Sequence, residues 1–282
     1  MKTVNSISGG KTSAYIAANY PADYNVFSLV RTDDNNCLFP DAKIRQIVSD
    51  KIGTEFIGTL EDDIIIKTIL ELEQFIGSEI NWVTGESFDK VISNNGLLPS
   101  PLRRYCTTEM KMKPIFEWWQ KEIKEVAKFR IGFRANETNR MQNVNSKLNK
   151  NNLLEFKTII GKSENGRNKW KNIEWQKPIF PLIEDNIYKD TVVEFWKNKP
   201  VQFAFMNNCV GCFHKQPPLL NYMYKNHKEK IEWFIKKESN RKHNWDKFRI
   251  DGLTYDKIVN YNFTMNMFDD DFNECDSGFC GI

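Results

Sequence analysis

Two stretches of this chain carry residue types whose spacing could do chemistry. "NNCVGCFHK" sets Cys209 and Cys212 as C-x-x-C, with Gly211 permitting a tight turn that points both sulfurs the same way. Such a knuckle commonly supplies two of four thiolate ligands to a metal. "SISGGKTS", residues 6–13, offers glycines, hydroxyls and a lysine in one run. It is not a Walker phosphate loop, because Gly10-Lys11 would need glycine at position 5, where Asn5 stands. It keeps the physics of a phosphate cradle. A strand passing through Ser8-Gly9-Gly10 into a helix aims backbone N–H groups and the positive helix end at whatever lies above the turn. Ser8, Thr12 and Ser13 add hydroxyl donors, and paired glycines let the backbone come close.

The knuckle needs two more ligands. Cys106 in "RRYCTTEMK" is one candidate, and either Cys275 or Cys280 in the tail "DDDFNECDSGFCGI" is the other. Four sulfurs from three distant segments would pin the end of the chain onto its beginning. Thiolates alone do not separate zinc from an iron–sulfur cluster, His214 leaves a Cys/His zinc site open, and a redox pair is a third option. Cys37 reads as a plain small residue in a loop.

The elements that must position these residues alternate. A strand over 3–8 leads into a helix over 11–20, and a strand over 25–32 into a helix over about 40–52. A third strand, "TEFIGTL" (54–60), precedes a helix over 61–76. A looser stretch with Gly85, Gly96, Pro99 and Pro101 follows, then a helix through "TEMKMKPIFEWWQKEIKEV" and a strand, "KFRIGFRA" (128–135). Residues 141–177 are Asn/Lys-rich and predict long loops or a hairpin through "EFKTIIG"; "KDTVVEFWKNK" predicts a short helix. Strand alternating with helix implies an α/β fold, a parallel sheet flanked by helices, with ligands at the carboxyl ends of the strands. The division expected is a nucleotide-binding unit over 1–200 and a small C-terminal helical, cysteine-bearing region and tail over 201–282.

The bulk numbers narrow the setting. The 282 residues are 40% hydrophobic and 13% aromatic, enough to bury a core. Net charge is only +3, from 40 basic and 37 acidic residues, so no global field argues for nucleic acid. The lysine-rich run at 225–245 reads as a helix with a solvated basic face. No run of 18 apolar residues occurs, and the expectation is a cytoplasmic protein with no membrane contact. In a reducing compartment six cysteines point to metal or redox chemistry rather than to disulfides.

These motifs together resemble the phosphoadenosine phosphosulfate reductase family, within the PP-loop adenine nucleotide alpha-hydrolases, over roughly residues 1–215. "SISGGKTS" is similar to the family's S-x-S-G-G-K-D-S loop, with Thr12 where aspartate is usual; "CLFPDA" resembles its F-P-E-T stretch. "LPSPLRRYCTTEMKMKPI" is similar to the segment where cluster-bearing members carry a Cys-Cys pair, here Cys106 followed by Thr107. "IGFRANETNR" resembles G-[LI]-R-x-x-[EQ]-[ST], and "FCGI" resembles the reductase tail Glu-Cys-Gly-Leu-His, with Phe279 for the glutamate and no terminal histidine. The resemblance implies a Rossmann-like fold and an adenine nucleotide held by Ser8, Gly9, Gly10, Lys11, Thr12, Ser13, Arg134 and Arg140. It also implies a 4Fe-4S cluster, with zinc as the alternative, on Cys106, Cys209, Cys212 and Cys275, and Cys280 as nucleophile with Lys11 and Arg134 assisting. R-x-C-T-x-x-x-K with N-C-x-G-C-F is also similar to iron–sulfur enzymes that insert sulfur into DNA backbones using ATP; the non-enzyme alternative is a nucleotide-binding module of a defence or modification complex, with a cluster that is only structural. The nucleotide is accordingly ATP, with Mg, or adenosine phosphosulfate or phosphoadenosine phosphosulfate. The partners implied are a thiol reductant or sulfur donor protein, a nucleic acid acceptor in the ATP case, and a second copy of the chain in a homo-oligomer.

Overall fold

A computed structural model describes residues 1–261. In chain order the elements are β1 (Thr3–Ile7), α1 (Lys11–Asn19), β2 (Tyr24–Leu29), β3 (Arg31–Thr32), α2 (Ala42–Ile52), β4 (Gly58–Thr59), α3 (Asp63–Ile76), β5 (Ile80–Thr84) and α4 (Phe88–Asn95). A short helix, α5 (Tyr105–Thr107), runs through a π-helical turn (Thr108–Met112) into α6 (Lys113–Glu122). Then come β6 (Ala127–Arg130), α7 (Thr138–Asn145), β7 (Leu154–Lys162), β8 (Asn168–Ile179), α8 (Pro181–Glu184) and α9 (Lys189–Trp196). Among the described residues the last three helices are α10 (Pro217–Asn226), α11 (Lys228–Ser239) and α12 (Tyr255–Val259).

The main sheet has the order β5-β2-β1-β6-β8-β7, parallel from β5 through to β8, with β7 added antiparallel as the other arm of a hairpin. The α/β reading with a mostly parallel sheet between helices therefore holds. Consecutive strand residues face opposite layers, as the pleat requires. Ile7, Phe27 and Leu29 pack on α1, α3 and α9, whereas Val4, Val26, Phe129 and Trp175 pack on Phe116 and Trp119 of α6. Each of those large side chains contributes about 1.5–3 kcal/mol on burial.

One strand differs from expectation. Of residues 54–60 only Gly58–Thr59 is extended, and it pairs antiparallel with β3 in a separate two-stranded ribbon. A Cβ at Gly58 would sit 1.8 Å from the Cys37 carbonyl oxygen, so this segment is pressed against the Cys37 loop and not threaded into the sheet. The third parallel strand is Ile80–Thr84, where β-branched and aromatic side chains suit a pleated surface and Trp82 meets Phe27 edge-on at 5.0 Å. The hairpin expected near "EFKTIIG" is present as β7–β8, with Phe156 stacked on Phe116 at 4.5 Å.

Helices α10, α11 and α12 do not build a core of their own. Leu220, Ile231, Trp233, Phe234 and Ile258 share one apolar cluster with Val30, Leu60, Phe88 and Met110 from the first part of the chain. Among the described residues no helix is long and apolar enough to cross a membrane.

Candidate functional site

The strand order reverses between β1 and β6: the chain leaves β1 toward β2 and β5, then returns to β6 on the other side. In open parallel sheets the crevice above such a reversal is where ligands bind. Two of the resembling motifs meet there. After β1, Ser8–Gly9–Gly10 turns into α1, whose N-cap Gly10 supplies no side-chain cap to the leading N–H groups. The Ser13 hydroxyl is the clasp of the turn, accepting from the Ser8 amide at 3.1 Å and donating to the Gly10 carbonyl at 3.1 Å. Gly9 has φ +80°, and a Cβ there would lie 2.6 Å from Cγ2 of Ile65, so both conformation and space demand glycine. After β6, Gly132 abuts the same turn; its Cβ would be 3.4 Å from Cγ2 of Thr12 and 3.6 Å from the Ser13 amide. Lys11 is exposed at this edge, while Ser8, Thr12 and Ser13 are buried.

Glu137 gathers both arginines of "IGFRANETNR". Its carboxylate accepts from the Arg134 amide at 2.8 Å and Arg134 Nε at 3.1 Å, and pairs with Arg140, whose guanidinium also stacks 4.3 Å from the Phe133 ring centre. Burial works against the Glu137 charge, but the Arg134 amide and the two guanidiniums outweigh it and hold the carboxyl below its ordinary value.

The second constellation lies where the π-helical turn meets the segment before α10. Cys106, Cys209 and Cys212 line one cavity of about 50 Å³, room for several waters at about 10–15 Å³ each, together with Lys111, Arg104 and His214. The knuckle is closed by Cys212 N–H donating to Cys209 O at 2.9 Å and Lys215 N–H to Cys212 O at 2.9 Å. It is fastened outside by the Tyr255 hydroxyl on Gly211 O at 2.6 Å and by Arg249 Nη1 on Lys215 O at 2.6 Å. Gly211 is required because Phe234 lies against it: a Cβ would fall 2.3 Å from the ring.

The charges around this cavity are unusual for their depth. Lys111 pairs with Glu61 at 2.8 Å, with the two side chains 14% and 2% exposed. Burial opposes the Lys111 charge, yet Glu61 and the Cys209 and Cys212 thiols hold its pKa above the ordinary lysine value. Lys215 is fully buried and bonds only neutral oxygens, Asn208 Oδ1 and Cys209 O; among the described residues no carboxylate pairs with it. Burial accordingly lowers its pKa. Burial pushes the Cys106 thiol up to about 11, with Cys212 adding to it, and drives Cys209 up further, with Glu61 adding. Thiols held neutral in this way ionise when a cation takes them as ligands. Cys37 is apart from them, 2% exposed, pushed up to about 12 by burial, and packed in the core as a small apolar residue.

One segment joins the two constellations. Leu60 O accepts from Val210 N–H of the knuckle at 2.7 Å, Glu61 takes Lys111, and Ile65 packs on Gly9 of the turn. Lys230 adds Nζ bonds to Glu61 O and to Asp63 Oδ1 at 2.7 Å. Leu60 and Ile65 are five residues apart, the first three of the segment leading into α3, which begins at Asp63.

The structure thus brings together Cys106, Cys209 and Cys212, and separately Ser8–Ser13 with the Gly132 stretch. Cys275 and Cys280 lie outside the described residues. Among the described residues no three His, Cys, Asp or Glu side chains are close enough to enclose a single ion. The donor set suits a cluster on chemical grounds: half-buried thiols gathered from two segments around a cavity, near the buried Lys215, whose ammonium bonds only neutral oxygens. Sequence reasoning missed Lys111, Lys215 and Glu61, although Lys111 and Lys215 stand within the quoted cysteine motifs. No family model matches the chain, and no curated protein or solved structure is significantly similar to it.

Proposed function

We propose that this chain is an adenine nucleotide-dependent enzyme of sulfur chemistry, similar to the phosphoadenosine phosphosulfate reductases, carrying a 4Fe-4S cluster. The observation that carries the reading is the joining of an uncapped glycine turn at the strand-order reversal to a thiol-lined cavity by a single short segment, Leu60–Ile65. In this reading the amides of the turn, the hydroxyls of Ser8 and Thr12, and Lys11 hold the nucleotide's phosphates, while Ser13 keeps the turn in shape. Arg134 and Arg140 stay oriented on Glu137 until an anion competes for them. Cys106, Cys209 and Cys212, with Cys275, would hold the cluster, which supplies redox and electrostatic chemistry when bound. Lys111 and Lys215 set positive charge against it.

With a sulfonucleotide, the Cys280 thiolate attacks the sulfur. An S–S bond forms, the S–O bond to phosphate breaks, and the nucleoside phosphate leaves with the electron pair. An external dithiol then releases sulfite and is itself oxidised to the disulfide. A second reading is favoured by one observation, that Arg104, Cys106, Thr107 and Lys111 line the same cavity as the knuckle, which unites the two motifs similar to the sulfur-inserting enzymes. There an acceptor oxygen attacks the α-phosphorus of ATP, with magnesium, and pyrophosphate leaves; sulfide-level sulfur from a donor then displaces the adenylated oxygen, which leaves as AMP.

Anaerobic purification with iron, sulfide and zinc analysis tests the metal, and titration with ATP, adenosine phosphosulfate and phosphoadenosine phosphosulfate tests the nucleotide. The expected result is a brown iron-containing protein that loses its colour in Cys209→Ser, binds one of these nucleotides, and loses that affinity in Lys11→Ala. A colourless zinc protein, or one that binds none of the three, overturns the reading.

A further inference from the structure

A larger pocket, about 540 Å³, opens between the π-helical turn and the β7–β8 hairpin. This is within the roughly 300–1,000 Å³ usual for small-molecule sites. It shares Arg104 and Thr107 with the cysteine cavity, but it is not the nucleotide crevice. Its floor residue Gln176 is in register with Ala127, five residues before Gly132, which is about 17 Å of strand away from the glycine turn.

Gln176 is the observation that needs an explanation. It is fully buried, it lines this pocket, and among the described residues neither Nε2 nor Oε1 has a hydrogen-bond partner. A buried primary amide left unpaired on both sides is costly; closed to solvent behind the pocket wall, it would be satisfied on both sides at once if it turned into the pocket toward a ligand presenting one acceptor beside one donor. That paired edge is what a nucleobase offers to glutamine. Phe156, partly exposed on the wall, supplies an aromatic face for a planar ring.

The rim is cationic. Lys147, Lys157 and Arg104 border the pocket, and burial together with the Arg104 charge lowers the Lys147 pKa, as expected of two cations set close. The Glu155 carboxylate on the wall is already engaged by Asn149 at 2.9 Å and Asn172 at 3.0 Å. We infer that this pocket binds a nucleoside monophosphate unit, its base against Gln176 and Phe156 and its phosphate at Arg104, Lys147 and Lys157. The unit is either a free nucleotide or a residue of a single strand. The inference stands whether or not the glycine turn binds nucleotide.

The test is a titration of the full chain with the four nucleoside 5′-monophosphates, with a short single-stranded oligonucleotide and with inorganic phosphate. It is carried out in the Lys11→Ala background so that the glycine turn is silenced. At least one monophosphate, or the oligonucleotide, is expected to bind, and the arm that binds more tightly identifies the source. Gln176→Leu should weaken that binding about tenfold or more while leaving the melting temperature unchanged or raised, because it removes an unpaired amide. Lys147→Glu, at an exposed position, should weaken it comparably and more at low salt. No binding of either probe overturns the inference. So does binding that both variants leave intact, or phosphate binding as tightly as any nucleotide.

Discussion

The glycine turn and the cysteine knuckle stand at the two ends of Leu60–Ile65 and are built in opposite ways. The turn is made of backbone, small residues and hydroxyls whose bonds close on one another, Ser13 to Ser8 and Gly10, so it is complete before any ligand arrives. The knuckle gathers groups that resist burial, a lysine–glutamate pair and a second lysine that bonds only neutral oxygens, around three half-buried thiols. Burying an ion costs several kcal/mol even after relaxation. The contrast separates a preformed backbone turn from a cavity flanked by buried cations, and it is on that second feature that the proposed thiolate-bound cluster rests.

The sharpest way to break this contrast is at Glu61. With its side chain 2% exposed, Glu61→Gln leaves the Lys111 charge buried and unpaired, an expected loss of about 3–5 kcal/mol. Thermal unfolding should show a fall in melting temperature on the order of 10 °C. Replacing both partners, Glu61→Gln with Lys111→Met, should restore much of it; a double variant as unstable as the single one would mean that the pair is not the cause. At the other end, Gly9→Ala forces a left-handed alanine against Ile65, with backbone strain of about 1–3 kcal/mol. Denaturant unfolding should register that loss, and nucleotide affinity should fall about tenfold with iron content unchanged. Loss of iron in this variant would show that the two regions are not separable.

Legibility followed the same divide. The turn could be read because its chemistry is local: Ser8–Ser13 is one run, and a strand before it and a helix after it are visible in apolar periodicity. The grouping of Cys106 with Cys209 and Cys212 was legible from residue type and from the resemblance. The charges that make the cavity unusual were not, because a lysine reads as surface until something shows what covers it, and Phe234 and Phe248, which line the cavity, come from segments well downstream of the knuckle. The third strand was misplaced because "TEFIGTL" and "INWVT" have similar apolar content, and only the close passage at Gly58 excludes the first from the sheet. Gly211 was legible as a requirement but for another reason than the true one, which is the Phe234 ring.

Lys215→Met sharpens the contrast through its sign. In metal-free protein the substitution removes a buried cation, and stability should be unchanged or raised by about 1–4 kcal/mol, less whatever is lost from the bonds to Asn208 and Cys209. In protein prepared anaerobically with iron, the same change should lower iron content and shift the reduction potential of the cluster to a more negative value, since a positive neighbour stabilises the electron-rich form. A variant that is destabilised without metal and unaltered with it would assign Lys215 a purely structural role.

The smallest effect belongs to the turn's side of the comparison. Glu137 holds Arg134 and Arg140 and is itself held below its ordinary pKa, burial opposing its charge and the Arg134 amide and both guanidiniums outweighing that. A carboxyl depressed in the folded state contributes stability that is fully present above the unfolded value, about 4.3, and is lost as pH falls through the lower folded value. The wild type should therefore lose stability on acidification from about pH 5 toward pH 3, and Glu137→Gln should lose less over the same window, after a modest constant deficit near neutrality. Denaturant midpoints measured at several pH values check this, and parallel curves for the two proteins would remove Glu137 from the account. Because Glu137→Gln frees both guanidiniums from a carboxylate, it should also tighten binding of an anionic nucleotide slightly if the arginines reach it. An unchanged affinity would confine Arg134 and Arg140 to holding the loop after β6.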